Sequence, residues 1–180
     1  MRSKNIRITL SGLAGSGQST VGKQLAKELK LDFHSMGDLS RTKAREKKMS
    51  ISEFQNYLNE NPEEERKNDI EFSEEMNKKK EFILDYRLGF HFIKKSYNIY
   101  LSVGNKVAYN RIRGRKGRDE SYFDLSRAQV LRKIKERNEA PRTRFLELYN
   151  VDFTDTSKYD LVIDTNKFSL MKLYDKYCNS

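Results

Sequence analysis

The sequence predicts an α/β fold: a three-layer, doubly wound parallel sheet with helices on both faces. Three observations carry that reading. Short β-branched or apolar runs alternate with longer stretches whose apolar residues recur at helical spacing. A glycine-rich segment, Gly12-Leu-Ala-Gly-Ser-Gly-Gln-Ser-Thr20, joins the first strand-like run to the first helical one. No Pro/Ser-rich linker divides the 180 residues, so a single domain over 1–180 is expected.

The elements follow in order. Ile6-Arg-Ile-Thr-Leu10 alternates and is β-branched, which predicts a strand. Val21, Leu25, Ala26 and Leu29 share a helical face over 19–29. Leu31–Ser35 reads as a short strand, and 37–48 and 51–61 as helices. Pro62 followed by three glutamates suits a helix start, running to about residue 80. Glu81-Phe-Ile-Leu-Asp85 reads as a buried strand ending in a carboxylate. A strand over 97–103, a helix over 105–113 and an arginine-dense loop over 114–120 come next. The longest helical pattern covers 124–149, before a strand at 159–164 and a helix at 169–177. Ligands of such sheets bind beyond the carboxyl ends of the strands, where the glycine segment and Asp85 both fall.

Composition narrows the partners. Thirty-six Lys+Arg against 26 Asp+Glu give a formal charge of +10, which suits a nucleotide or a nucleic acid. Many lysines sit in solvated-looking faces such as Met76–Glu81, so part of the excess serves solubility. Cys178 is the single cysteine, which excludes a disulfide and a cysteine metal cluster. Only His34 and His91 offer imidazole, so a histidine metal site is not expected. No apolar stretch approaches the ~18 residues of a membrane span. The N-terminal residues lack a signal-peptide pattern, and a cytoplasmic location is expected.

The glycine segment nearly matches the phosphate-loop pattern G-x-x-x-x-G-K-[ST]. Gly12, Gly17 and Ser19 are in place, but Gln18 stands where lysine belongs. Glycines let successive backbone N–H groups curl toward phosphate oxygens, and the following helix adds the positive end of its dipole. Ser19 can offer its hydroxyl to Mg²⁺. Gln18 can hydrogen-bond to phosphate but brings no charge. A strand-to-helix glycine turn with a purely structural role is the alternative.

Further segments, in order, resemble those of a nucleoside monophosphate kinase. The match is to the cytidylate kinase family in its short, archaeal-type branch, where the lysine position can hold a small polar residue. Ser35-Met-Gly-Asp-Leu-Ser-Arg41 is similar to the stretch lining the monophosphate site, although Ser35 and Asp38 are also capping types. Phe82-Ile-Leu-Asp-Tyr-Arg87 resembles the segment carrying a Mg²⁺-holding acid, then an arginine for the monophosphate. Leu88 stands where longer bacterial members carry an acid that helps read the base, so base recognition does not carry over there. Asn110-Arg-Ile-Arg-Gly-Arg-Lys-Gly-Arg118 resembles the approach to the lid, with Arg111, Arg115 and Arg118 as candidates to cover ATP. A nucleic-acid-binding or solvated basic loop is the other reading. Arg137 and Arg144, seven residues apart, match a pair on the helix after the lid and would share one face. Arg142 is a second possible partner, and Pro141 is a candidate kink.

The resemblance implies transfer of the γ-phosphoryl group of ATP to CMP or dCMP, giving CDP or dCDP and ADP, with Mg²⁺. It implies a P-loop NTPase sheet, a helical monophosphate-binding region at about 37–80 and a lid at about 114–124. Gly12, Leu13, Ala14, Gly15, Ser16, Gly17, Gln18, Ser19, Thr20, Arg111 and Arg115 would bind ATP, and Ser19 with Asp85 the metal. Ser35, Gly37, Asp38, Arg41, Arg87 and Arg144 would hold the acceptor. Arg41, Arg87, Arg137 and Arg144 would carry the catalysis, which needs positioned charge rather than a nucleophile. A monomer is expected, since one chain holds the whole set. Two alternatives remain. One is an adenylate kinase. The other is a kinase-inactive nucleotide- or RNA-binding protein, motivated by Gln18 and the charge of +10.

Overall fold

A computed structural model of the chain describes residues 5–114, 122 and 124–166. Arg115, Arg118, most of the expected lid, the expected helix over 169–177 and Cys178 lie outside the described residues.

Five parallel strands form the sheet in the order β2-β3-β1-β4-β5. They are β1 (Arg7–Gly12), β2 (Phe33–Ser35), β3 (Phe82–Asp85), β4 (Tyr97–Ser102) and β5 (Leu161–Asp164). The helices are α1 (Gln18–Leu29), α2 (Met36–Glu46), α3 (Ile51–Glu60), α4 (Pro62–Lys78), α5 (Gly89–Phe92), α6 (Asn105–Arg113) and α7 (Arg127–Tyr149). All five expected strands are present. The short α5 was not expected, because a single turn shows no periodicity to read.

Alternation along the strands divides the core between the two faces of the sheet. On one, Leu10, Ile83, Ile99 and Leu101 pack with Val21 and Ala26 of α1. On the other, Phe82, Leu84, Tyr86 and Leu88 pack with Met76 of α4 and with Phe145 and Phe153. Helices therefore cover both faces, as an all-parallel sheet requires. Start signals sit where the chain needs them: Ser50 with Glu53 and Ser126 with Gln129 form capping boxes, and Pro62 opens α4. Among the described residues no helix is long and apolar enough to cross a membrane.

β1 lies at the centre, and its Leu10 pairs in register with Asp85 of β3. The glycine loop thus leaves the sheet beside the Asp85 carboxylate. Close approach requires glycine at its first position: a Cβ on Gly12 would stand 2.3 Å from the carbonyl oxygen of Leu101. Gly12→Ala is expected to destabilise the fold by about 1–3 kcal/mol through forced backbone movement. Urea unfolding at neutral pH would measure it.

Candidate active site

At the carboxyl ends of β1, β2 and β3 lies a cleft of about 410 Å³. The glycine loop, α2, α3, α4, the end of β3 and α7 all contribute to its wall.

The loop forms one end. Gly15 and Gly17 adopt φ of 85° and 96°, and Gly17 caps α1. No acidic residue stands in the first turn of α1, so nothing of its own offsets the positive end of the helix dipole. Ser19 at that end donates to Asp85 Oδ2 at 2.6 Å. Gln18 does not extend as a lysine would toward outer phosphates. Its Nε2 donates to the Gly12 carbonyl at 3.0 Å and closes the loop on itself. Two braces hold the loop from outside. Ala14 N–H donates to Asn138 Oδ1 of α7 at 2.8 Å. Arg111 donates to the carbonyls of Gly15 and Ser16, at 3.2 and 3.3 Å, and to both the hydroxyl and carbonyl of Thr165.

The opposite wall is cationic. Arg41 on α2 pairs with Asp38 three residues before it. Ser35, which pairs in register with Asp85, precedes α2 but makes no side-chain cap bond; its hydroxyl belongs to the cleft wall instead. Arg87 lies over the Phe153 ring at 5.2 Å and donates to the carbonyl of Arg137 at 3.2 Å. That carbonyl is available for a simple reason. Pro141, four residues on in α7, has no N–H to offer it. The proline is tolerated inside a continuous helix, and Arg87 takes the bond it leaves open. Burial, then repulsion from Arg137 and Arg144, lowers the Arg87 pKa to about 10, with Asp85 opposing. Cations crowded in this way gain from an anion set among them.

The two arginines of α7 share the cleft wall but differ in surroundings. Arg137 is exposed and donates to the Tyr122 hydroxyl at 3.2 Å. Arg144 is buried. It meets Glu65 of α4 bidentately at 2.8 and 3.2 Å, Asn59 at 2.7 Å and Gln55 at 2.9 Å. Its charge is already matched, so in this arrangement it does not face a phosphate as the resemblance implied. Arg142 is bound bidentately to Asp152, which holds that carboxyl down at a pKa of about 2.

Sequence reasoning missed the inner wall. Glu65, Asn68, Asp69, Ser73 and Met76 are the buried residues of α4. They recur at helical spacing, but four of the five are polar, so an apolar pattern never appears. Asp69 accepts from the hydroxyls of Tyr86 and Tyr149, both at 2.8 Å. Burial nevertheless raises its pKa to about 6, against the pull of those two hydrogen bonds. A carboxyl with a raised pKa binds its proton more tightly in the folded state. Its cost is therefore absent below about pH 4, grows as pH rises to 6, and is complete above. The shift is worth about 3 kcal/mol. Asp69→Asn should flatten the decline in unfolding free energy between pH 4 and 6, measured by urea titration at half-unit steps.

Among the described residues no group of three or more His, Cys, Asp or Glu is placed to hold a metal ion. The Ser19–Asp85 pair fits another kind of metal: hard oxygen donors at the mouth of a phosphate loop suit Mg²⁺ that arrives with nucleotide phosphates. A glycine loop at the head of a parallel sheet, with Arg41, Arg87 and Arg137 across the cleft, has the layout of a P-loop kinase fold. The solved structures agree on the fold. Shikimate kinase from Bacteroides thetaiotaomicron superposes with a TM-score of 0.62 over 95% of this chain and 97% of that one, at 16% identity. Shikimate kinase from Acinetobacter baumannii gives 0.58, over 97% and 91%, at 19% identity.

Residues 7–167 match the model of the cytidylate kinase-like family, and the chain belongs to that family. It is 37% identical to cytidylate kinase of Pyrococcus horikoshii, over 90% of this chain and 81% of that protein. With cytidylate kinase of Methanosphaera stadtmanae it shares 32%, over 91% and 90%. A third relative is an S-adenosylmethionine-dependent nucleotide dehydratase of Lacinutrix mariniflava. It is 41% identical over 94% of this chain, which spans only 34% of that protein's length. Family and fold together support an ATP-dependent phosphotransferase of the nucleoside monophosphate kinase class, a family that generally uses Mg²⁺ with ATP.

Proposed function

We propose that the chain transfers the γ-phosphoryl group of ATP to CMP or dCMP. The observation that carries this is the Ser19–Asp85 pair and the Arg87–Arg137 cluster on one cleft, between a phosphate loop and the helices α2 to α4. The loop from Gly12 to Thr20 holds the ATP phosphates through backbone N–H groups and the start of α1. Arg111 and Asn138 keep it in shape. Ser19 and Asp85 would hold Mg²⁺, which neutralises charge on the β- and γ-phosphates when bound.

Arg87 and Arg41 hold the acceptor phosphate, with Ser35, Gly37 and Asp38 around it. Arg41 is released from Asp38 to do so, an exchange of one exposed anion for another. An acceptor phosphate oxygen attacks the γ-phosphorus, and the bond to the β-phosphate oxygen breaks with its electron pair leaving on ADP. Charge spreads over the equatorial oxygens meanwhile, and Arg137 is the exposed cation that meets it. Arg144, already neutralised, acts by position. Residues 37–80 form the monophosphate-binding region, and the lid proposed at about 114–124, with Arg115 as its ATP-binding candidate, lies mostly outside the described residues. Every group named belongs to one chain, so a monomer suffices, at work in the cytoplasm.

The cytidine preference draws support from the relatives named cytidylate kinase. One observation favours a second reading: the Lacinutrix protein carries a segment like this one within a nucleotide dehydratase. On that reading the chain phosphorylates the nucleotide that such an enzyme uses, and the acceptor need not be CMP. Product analysis with Mg²⁺-ATP and CMP, dCMP, UMP or AMP separates the readings. CDP and dCDP as the favoured products support the proposal. A favoured UDP or ADP product overturns the cytidine preference, and no acceptor phosphorylated by any of the four removes the kinase reading. In that last case steeply salt-dependent RNA binding is the property to look for.

A further inference from the structure

The inner wall of the cleft holds a set of hydrogen-bonding groups that phosphate transfer leaves unused. Arginine and lysine side chains are donors only, so a carboxamide that meets one must turn its oxygen toward it. Arg144 thereby fixes Asn59 and Gln55 of α3, at 2.7 and 2.9 Å, and Lys43 fixes Asn68 of α4 at 2.6 Å. Each amide then presents its NH₂ group in the opposite direction. All three residues line the cleft, and their amide nitrogens make no hydrogen bond among the described residues. They are not sealed off either: Asn59 is exposed, and among the described residues the buried, unpartnered side-chain polar atoms are the hydroxyls of Ser16 and Ser73. The wall is therefore lined with oriented donors open to a ligand. Acceptors stand beside them: Glu65 and Asp69, both buried, have lone pairs beyond those that Arg144, Tyr86 and Tyr149 occupy.

We infer that the carboxamides of Gln55 and Asn59, turned by Arg144, read the base of the acceptor nucleotide. Arg144 and Glu65 are positioning residues in this scheme: the ion pair holds the arginine, and the arginine holds the amides. Adjacent donors match a base edge with adjacent acceptors. Cytosine has them at O2 and N3, and its amino group can donate to a carboxylate. Uracil carries an N–H at position 3, which would meet an NH₂ group head on. The inference rests on the proposal that the cleft holds a nucleoside monophosphate, and it names the groups behind the cytidine preference. It also gives Arg144 a role that its buried pairing with Glu65 permits, in place of a phosphate contact.

Equilibrium binding tests this without requiring turnover. CMP, UMP and ribose 5-phosphate, which lacks a base, are titrated by calorimetry into the unmodified chain, Gln55→Leu, Asn59→Leu and Glu65→Gln. Thermal melting of each variant checks that it is folded. The unmodified chain should bind CMP more tightly than UMP, and ribose 5-phosphate most weakly. Each leucine variant should weaken CMP about three- to tenfold, the worth of a neutral hydrogen bond. Ribose 5-phosphate should stay within about twofold. Glu65→Gln loosens the amides together, so it should lower the CMP-over-UMP ratio even if it melts at the same temperature. Equal losses for CMP and ribose 5-phosphate, or none for either, overturn the inference. So does an unmodified chain that binds CMP no better than ribose 5-phosphate. Base-selective binding without phosphoryl transfer would instead sink the kinase proposal and leave the base-reading wall standing.

Discussion

Arg87→Met should lower kcat/KM for CMP about 10²–10³-fold, comparable to losing one electrostatic contact to the reacting groups. Methionine keeps an apolar chain against Phe153, so the loss reports charge more than packing. Arg87→Lys is not expected to restore the rate. A lysine is a point charge and cannot both reach the Arg137 carbonyl and grip two phosphate oxygens. The KM for ATP should stay near its unmodified value, because Arg87 stands on the acceptor side. Steady-state kinetics with both substrates varied checks all three statements. A loss confined to a raised KM for ATP would place Arg87 in the other half of the site.

Asp85→Asn should cost about 10²–10³-fold in kcat, comparable to losing one transition-state electrostatic contact. The substitution is nearly isosteric, and asparagine can still accept from Ser19, which now donates at 2.6 Å. What it removes is the negative charge that would hold Mg²⁺ near the loop. The loss should therefore shrink as Mg²⁺ is raised, while binding of CMP alone is unchanged. A Mg²⁺ titration of the initial rate, run beside CMP binding without ATP, separates these. It also bears on Arg87. Asp85 supports the charge of Arg87, so Asp85→Asn should move the alkaline limb of the pH profile downward from a pKa of about 10.

The strands and most helices were legible because the sheet is conventionally built: β1 alternates, α1 shows an apolar face and α4 opens on proline and acids. The glycine loop and Asp85 could be placed from their position at strand ends, and the pairing of Ser19 with Asp85 was implied by the family resemblance. The inner wall could not. α4 buries Glu65, Asn68, Asp69 and Ser73 on a face that a hydrophobic pattern would assign to solvent. Glu65, Asn68 and Asp69 find their partners outside α4, in Arg144, Lys43, Tyr86 and Tyr149. No local signal encodes such a pairing. Arg144 fell to the same gap, since spacing on α7 revealed its face but not the glutamate waiting opposite. Pro141, a candidate kink in the sequence, lies inside α7 and frees the carbonyl that Arg87 uses.

Gln18 is the point on which the account turns. A lysine there would add one charge at the outer phosphates. The glutamine instead ties the loop to itself through Gly12, and the proposed function assigns the cationic work to Arg87 and Arg137 across the cleft. The measurement that tests this most directly is CMP-dependent ADP release from Mg²⁺-ATP by the unmodified chain, beside Gln18→Lys and Gln18→Ala. The account predicts turnover by the unmodified chain that depends on CMP and falls in Gln18→Ala, where the loop loses its closing bond. No CMP-dependent ADP from the unmodified chain, with turnover appearing in Gln18→Lys, would contradict it.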